Sequence, residues 1–454
     1  MMKYRVHGEE QTCFPLGPFR VRLPFIHYRW EWPEALQAIL MCSTCLGAIP
    51  VLTEVLGVPF EIAWSMVIIN GLLYNLHSLL GDPVVPGWVT PAIPLVVSFL
   101  GNYTFGVERI QALIAMQILV GIIFLIMGIT GLAGKLIKIL PNSIKAGILL
   151  GAGIAAVFGE FQVEGRFGLY PISIAIGAIL SYLILFSDGF ISLKKKNKFC
   201  AVIGKYGMVS AIIVAVIVGP LVGEIPIPQV EVGSFIKIPD FAGLIKTVSP
   251  FGIGFPSVSL FISTVPMAII AYIIAFGDFI TGEALIAEAA EVRKDEKIDF
   301  DSNRSNLISG MRNIVMALIA PYIQLCGPLS ASVTAAVAQR YKDERDQMDS
   351  IFSGAGTFRW VTFAGVSLVP IVSLFQPVLP IGLSLMLIVQ GYICTRIAMG
   401  ICKNDTDRGV AGVMGAVLAA KGATWGLAIG IILHLILRDF TKKKIVEKAD
   451  KIGA

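Results

Sequence analysis

Charge is scarce in this chain. Only 15% of its 454 residues are Asp, Glu, Lys or Arg, where soluble globular proteins carry roughly 25%. Cysteine is scarce too: seven residues, an odd number, leave no disulfide framework to read. Cys42 and Cys45 stand three apart with no second ligand pair, so no zinc site is expected. The net charge of +5 is spread thinly with no basic domain set apart, which argues against nucleic-acid binding. No Walker loop, zincin helix or nucleotide fingerprint occurs. No nucleophile–base pair is found either, so neither an enzyme nor a cofactor is expected. The first 30 residues mix charges and aromatics and lack a short apolar run, so no cleavable signal peptide is expected.

Apolar sequence fills the space left by these absences: 56% of residues are hydrophobic and the mean hydropathy is +0.79. That composition implies an all-α polytopic membrane protein, since a spanning helix needs about 20 mostly apolar residues. The predicted spans lie near 34–56, 59–80, a short one at 91–101, then 107–133, 142–159, 170–187 and 204–222. A polar, strand-like stretch follows from Gly223 to Pro250. The second half gives 262–290, 305–325, a short one at 328–339, then 355–376, 379–398, 408–420 and 422–438, about fourteen in all. The domains read as an interfacial N-terminal segment (1–33), a first seven-span repeat (34–222), an extracytoplasmic connector (223–257), a second repeat (258–438) and a cytoplasmic tail (439–454).

Basic residues test the count, because cytoplasmic loops collect Lys and Arg. With the N-terminus inside, only Arg109, Arg166, Lys237, Lys246 and Lys421 of the 36 fall outside. The rest are placed inside or at the inner boundary, including Lys135, Lys138, Lys145, Lys194 to Lys196 and Lys442 to Lys444. Both termini are expected in the cytoplasm of a cell bearing this protein in its plasma (inner) membrane. Residues 20–32, "RVRLPFIHYRWEW", read as an amphipathic segment at the inner interface.

The two short spans occupy matching places. "PGWVTPAIPLVVSFLG" runs from Pro86 and "CGPLSASVTAAVAQRY" from Cys326, and each leads through a long span to a Leu-Pro opening another helix. Pro91 and Pro141 are 50 residues apart, Pro328 and Pro380 are 52 apart. Seven spans per repeat is an odd number, so the second copy enters the membrane from the opposite side, as in many secondary transporters. Thr90 and Gly327 are placed as N-caps before Pro91 and Pro328. A helix starting inside the membrane aims orphan N–H groups and a partial positive charge at the midplane, and such backbone survives there only in a cavity or in protein. Thr90, Ala92, Gly327, Leu329, Ser330, Ala331 and Ser332 are therefore candidate substrate contacts. Ser330 and Thr334 share a face, although such hydroxyls can equally bond their own backbone.

Asp278 in "AYIIAFGDFITGEALIAEA" lies near the centre of its span, where a carboxylate costs a few kcal/mol. It is the preferred substrate and coupling-ion residue; Glu283, about 140° around the helix, is the second candidate. Gln37 and Gln390 read as helix–helix contacts by default, and His77 as a packed histidine.

"WPEALQAILMCSTCLGAIPVL" (Trp32 to Leu52) resembles the first span of the nucleobase–ascorbate transporters, the nucleobase:cation symporter-2 family, and Gln37 and Pro50 fit its pattern. Ala38 stands where that family usually has His. "LPNSIKAGILLGAGIA" is similar to the fifth span of those proteins and of the sulfate permeases, and "IDFDSNRSNLISGMRNIVMALIAPYIQLCGPLSASVTAA" to their ninth span and short tenth helix. The resemblance implies a seven-plus-seven inverted repeat with core and gate domains and half-helices at segments three and ten. It also implies an acid on the eighth segment at the substrate (here Asp278, with Gln37 and Ser330), a homodimer through the gate domain, and elevator-type movement of the core. The tenth helix lacks both the acid of nucleobase members and the basic residue of anion-transporting relatives. Sequence alone thus leads to proton- or sodium-coupled symport of a small polar solute, with a nucleobase first. An inorganic or carboxylate anion, held by helix ends acting alone, is the alternative.

Overall fold

The computed structural model describes residues 5–132, 140–162, 165–206, 208–231 and 233–437. Lys135, Lys138 and the tail from 439 lie outside these. The chain is helical almost throughout. A hairpin of β1 (Phe14–Leu16) and β2 (Phe19–Val21) precedes α1 (Trp32–Leu46), α2 (Ala48–Leu56) and α3 (Phe60–Leu79). Extended residues β3 (Gly87–Trp88) lead into α4 (Ile93–Leu100), then α5 (Val107–Thr130), α6 (Asn142–Glu160), α7 (Arg166–Leu169) and α8 (Pro171–Phe186). Next come α9 (Asp188–Lys196), α10 (Lys198–Tyr206), α11 (Met208–Leu221), α12 (Phe241–Thr247) and α13 (Pro250–Ile253). The second half holds α14 (Val258–Val292), α15 (Ser302–Ile319), β4 (Cys326–Gly327), α16 (Ala331–Tyr341), α17 (Ile351–Ser367), α18 (Val369–Phe375), α19 (Leu379–Ile401), α20 (Asp405–Lys421) and α21 (Ala423–Leu437).

These helices make fourteen segments in two repeats of seven, with α4 and α16 as the half-helices. Phe60–Leu79, Val107–Thr130, Asn142–Glu160, Val258–Val292 and the stretch Val369–Ile401 are each long and apolar enough to cross a bilayer. Proline opens several helices where its missing N–H costs nothing: Pro33 in α1, Pro171 at the start of α8 and Pro380 in α19. The helices sort into two groups. One, the core domain, packs α1, α2, α3 and α5 with α14 to α17; the other, the gate domain, packs α6, α8 and α11 with α19 to α21. The apolar interior of the core domain runs through Leu52, Met66, Ile114, Phe124 and Tyr272, all buried.

Three local expectations change. The stretch from Gly223 to Pro250 contains no strand among its described residues; one isolated bridge joins Ile236 to Leu368, and α12 is helical. Its run of prolines, Pro226, Pro228 and Pro239, removes the donors a ladder requires. Residues 22–31, between β2 and α1, carry no helix or named strand. The N-terminal segment is pinned by charge: Arg22 to Glu10 at 2.6 Å, Arg20 to Asp299 at 3.1 Å, and Arg5 to Asp295. Thr90 is no N-cap but the first residue of a 3-10 turn, Thr90–Ala92. Finally, α16 begins at Ala331 with Ser330 before it, so Gly327 is not its cap and Pro328 lies in the extended lead-in.

The two repeats meet at their lead-ins. β3 and β4 pair antiparallel, Gly87 opposite Gly327 and Trp88 opposite Cys326. Glycine is required there because the backbones nearly touch. A Cβ on Gly87 would lie 2.5 Å from the Leu329 carbonyl oxygen, and one on Gly327 2.7 Å from the Trp88 carbonyl. Gly87→Ala should therefore destabilise the protein by about 1–3 kcal/mol, seen as a lowered melting temperature in detergent. Gly409→Ala, in α20 with nothing within 4 Å of the added methyl, is the control and should leave it unchanged or slightly raised.

Candidate functional site at the crossing of the half-helices

A two-residue pairing in the protein interior needs more hydrogen bonds than it makes itself. The Ser330 amide donates to the Val85 carbonyl at 2.7 Å and the Val89 amide to the Gln324 carbonyl at 3.1 Å. Thr334 Oγ1 accepts from the Val85 amide at 3.1 Å, so this hydroxyl serves the crossing and not a solute. Helix α15 supplies the rest. Asn313 holds Cys326 as a strand would, accepting from its amide at 3.0 Å and donating to its carbonyl at 2.9 Å. Gln117 of α5 accepts from the Tyr322 amide at 2.8 Å.

Two arginines complete the frame. Arg312 of α15, fully buried, donates to the Gly327 carbonyl at 3.0 Å. Arg359 of α17, 4% exposed, donates to the Pro86 carbonyl. Each half-helix lead-in is thus held by a guanidinium from a neighbouring helix. Tyr74 of α3 lies between them, its ring centre 4.8 Å from the Arg312 guanidinium and 4.1 Å from that of Arg359. Arg312 reaches a carboxylate indirectly: its Nη1 meets His77 Nε2 at 3.1 Å, and His77 Nδ1 meets Asp82 Oδ2 at 2.7 Å. Arginine can only donate, so His77 accepts at Nε2 and donates its Nδ1 proton to Asp82. Ser305 also donates to Asp82, at 2.5 Å. His77 is indeed packed, but as a relay in a buried polar chain.

Arg359 has no such compensation. Among the described residues it makes no ion pair, and its Nε lacks a hydrogen-bond partner. It lines a cavity of about 430 Å³ between the core and gate domains. Thr90 and Ser330 from the two half-helix starts line the same space, with Ser332, Gln37 of α1, Trp88, and Met386, Val389 and Gln390 of α19. Among the described residues, neither Asp nor Glu borders it. The hydroxyls of Thr90 and Ser330 make no hydrogen bond to a described residue. Ser332 and Val333, in the first turn of α16, border the same space. A cation and hydroxyls, with no acid among the described lining residues, give the chamber the chemistry that suits an anion. The magnitudes rank the sources: a unit charge 4 Å from the guanidinium gains about 4 kcal/mol at an effective dielectric of 20, against 0.3–1 kcal/mol for a helix end.

The remaining sequence candidates are distributed elsewhere. Asp278 lines a different cavity, about 460 Å³, between α14 and the gate helices α6 and α19, together with Pro91, Thr281, Lys145 and Lys403. The first half-helix start separates the two spaces, with Thr90 on one side and Pro91 on the other. Glu283 is exposed and borders neither. Ala92, Gly327 and Leu329 are buried in the crossing, and Ala331 is exposed at the start of α16. Arg312 and Arg359 were missed. Counting basic residues by side placed both at the inner boundary, whereas they stand inside α15 and α17; their signal was that of Asp278, an ionisable residue within an apolar span. The expectation that helix ends would act without a basic residue is also corrected, because the cation comes from the eleventh segment instead of the tenth.

Neither a family model nor a curated protein sequence gives a significant match to this chain. Solved structures do. The transmembrane domain of a cyanobacterium bicarbonate transporter, BicA, is similar with a TM-score of 0.52 at 12% identity, over 89% of this chain and 99% of that one. The chain has the fold of that domain. The murine Solute Carrier 26 family member A9 anion transporter, in its inward-facing state, matches with a TM-score of 0.51 at 14% identity, over 90% of this chain and 68% of its own. A second structure of member A9 gives 0.52 and 14%, over 90% and 66%. This chain therefore spans about two thirds of those proteins. At such identities the likeness concerns the path of the backbone, and the chemistry rests on the side chains described above.

If Arg359 holds an anion, ligands should register through it. Millimolar chloride, bicarbonate or sulfate, tested in turn, should raise the melting temperature of the purified protein for at least one of them. Arg359→Gln should abolish that rise, and Arg359→Lys, which keeps the charge but loses the fork, should retain part of it. Equal shifts in wild type and Arg359→Gln would remove Arg359 from the site.

Proposed function

We propose that this protein is a secondary active transporter of a small anion, inorganic or carboxylate, working by alternating access. The observation that carries the reading is Arg359: a buried guanidinium with no carboxylate partner among the described residues, facing a chamber between two half-helix starts. Buried charges are normally paired, and here a transported anion would be the partner. The named structural neighbours are transporters of bicarbonate and of anions, which favours the sulfate-permease side of the resemblance. The nucleobase reading loses its place as the first choice, since the acid expected to bind a base, Asp278, lines the neighbouring crevice and not that chamber.

In this reading the core domain carries the anion past the gate domain, elevator-fashion, and both termini face the cytoplasm. A homodimer through the gate helices fits the resemblance. Asp278 sits in the neighbouring crevice, beside the first half-helix and across from gate lysines. That position suits coupling: protonation or sodium binding at Asp278 would change the charge of the moving domain without occupying the anion chamber.

Reconstituted proteoliposomes test both parts. Labelled bicarbonate, sulfate, chloride and a dicarboxylate should be compared with uracil and xanthine. At least one anion should enter faster than into empty vesicles, with Arg359→Gln reducing that flux tenfold or more, the equivalent of about 1.4 kcal/mol. Asp278→Asn should leave exchange measurable but remove the response to an imposed proton or sodium gradient. Uptake confined to nucleobases would overturn the proposal.

A further inference from the structure

On the face opposite the N-terminal hairpin, a second crevice of about 360 Å³ separates α2 and α4 from α6 and α7. Arg166, at the start of α7, holds both sides of it. Its Nη1 donates to Glu160 at the end of α6, in its own domain, at 2.5 Å; its Nη2 donates to Glu54 of α2, in the core domain, at 2.5 Å. Among the described residues, Arg166–Glu54 is the one ion pair that joins the core and gate helices directly. Its two acids differ in a way that matters. Glu160 is 2% exposed and depends on Arg166, whereas the Glu54 side chain is 47% exposed and can return to water cheaply.

We infer that Arg166 and Glu54 form a latch that closes this crevice and favours the state in which the chamber opens on the N-terminal side. Glu160 keeps Arg166 in place in either state, so the cation is not stranded when the core domain moves. Glu54 is the releasable half. A half-exposed pair is weak and sensitive to salt, as a contact broken and remade in every cycle must be. The latch serves the alternating access proposed above, but its geometry stands independently of what is carried.

Labelling of a buried crevice residue reads the latch without any transport. Ala156 lines the crevice from α6 and is 2% exposed, so Ala156→Cys should react with a maleimide only when the crevice widens. In purified protein at low ionic strength, adding Glu54→Gln should speed that reaction about threefold to fivefold; the chain without Ala156→Cys gives the background of native cysteines. Raising the salt should speed labelling when Glu54 is intact and leave the Glu54→Gln protein unchanged. Faster labelling in a protein that carries no anion at all would support the latch while ending the transport reading. Equal labelling rates with and without Glu54→Gln at low salt, or the same salt effect on both proteins, would overturn the latch.

Discussion

Two extended segments, Gly87–Trp88 and Cys326–Gly327, cross in the interior of the protein, and the candidate site depends on that crossing. Extended backbone inside a membrane protein is viable only where every donor and acceptor is met. Side chains from α5, α15, α16 and α17 supply what the two-residue ladder lacks: Gln117, Asn313, Arg312, Thr334 and Arg359. Because those helices come from both repeats, the crossing ties the two halves of the core domain together. It also fixes where α4 and α16 begin.

Using arginine for this purpose has an electrostatic consequence. Arg312 is offset by Asp82 through His77, whereas Arg359 meets the Tyr74 ring and the Pro86 carbonyl but no carboxylate among the described residues. A structural role in holding Pro86 therefore leaves a residual positive charge at the chamber wall. The fold produces the half-helix starts, and the choice of Arg at one position in α17 gives the chamber its sign. This separates what the fold settles from what the side chains decide, which matters when the solved neighbours share only 12% and 14% of residues.

Much of the architecture was legible in the sequence, because its signals are local. Pro91, Pro328 and the matching Leu-Pro pairs marked the half-helices and the repeat, and α6, α14 and α19 lie close to the apolar runs that predicted them. Gln37 of α1 and Thr90, Ser330 and Ser332 of the half-helix starts line one cavity. The failures are tertiary. Asp278 belongs to a separate crevice because a half-helix start lies between it and Ser330, which linear spacing does not reveal. Arg359 is 29 residues beyond Ser330 in sequence, and only the folding of α17 against α1 and α3 brings it to the chamber. Thr334 shares a helix face with Ser330, yet its hydroxyl is consumed by Val85.

The central claim is that an anion completes the charge of Arg359. The most direct measurement is a crystal structure of the protein grown in bromide, with anomalous scattering locating the ion. The account predicts a peak in the chamber between Thr90 and Ser330, within ion-pair reach of Arg359 (about 4 Å). A chamber without bromide, and an anomalous peak instead in the crevice of Lys145 and Lys403, would contradict it.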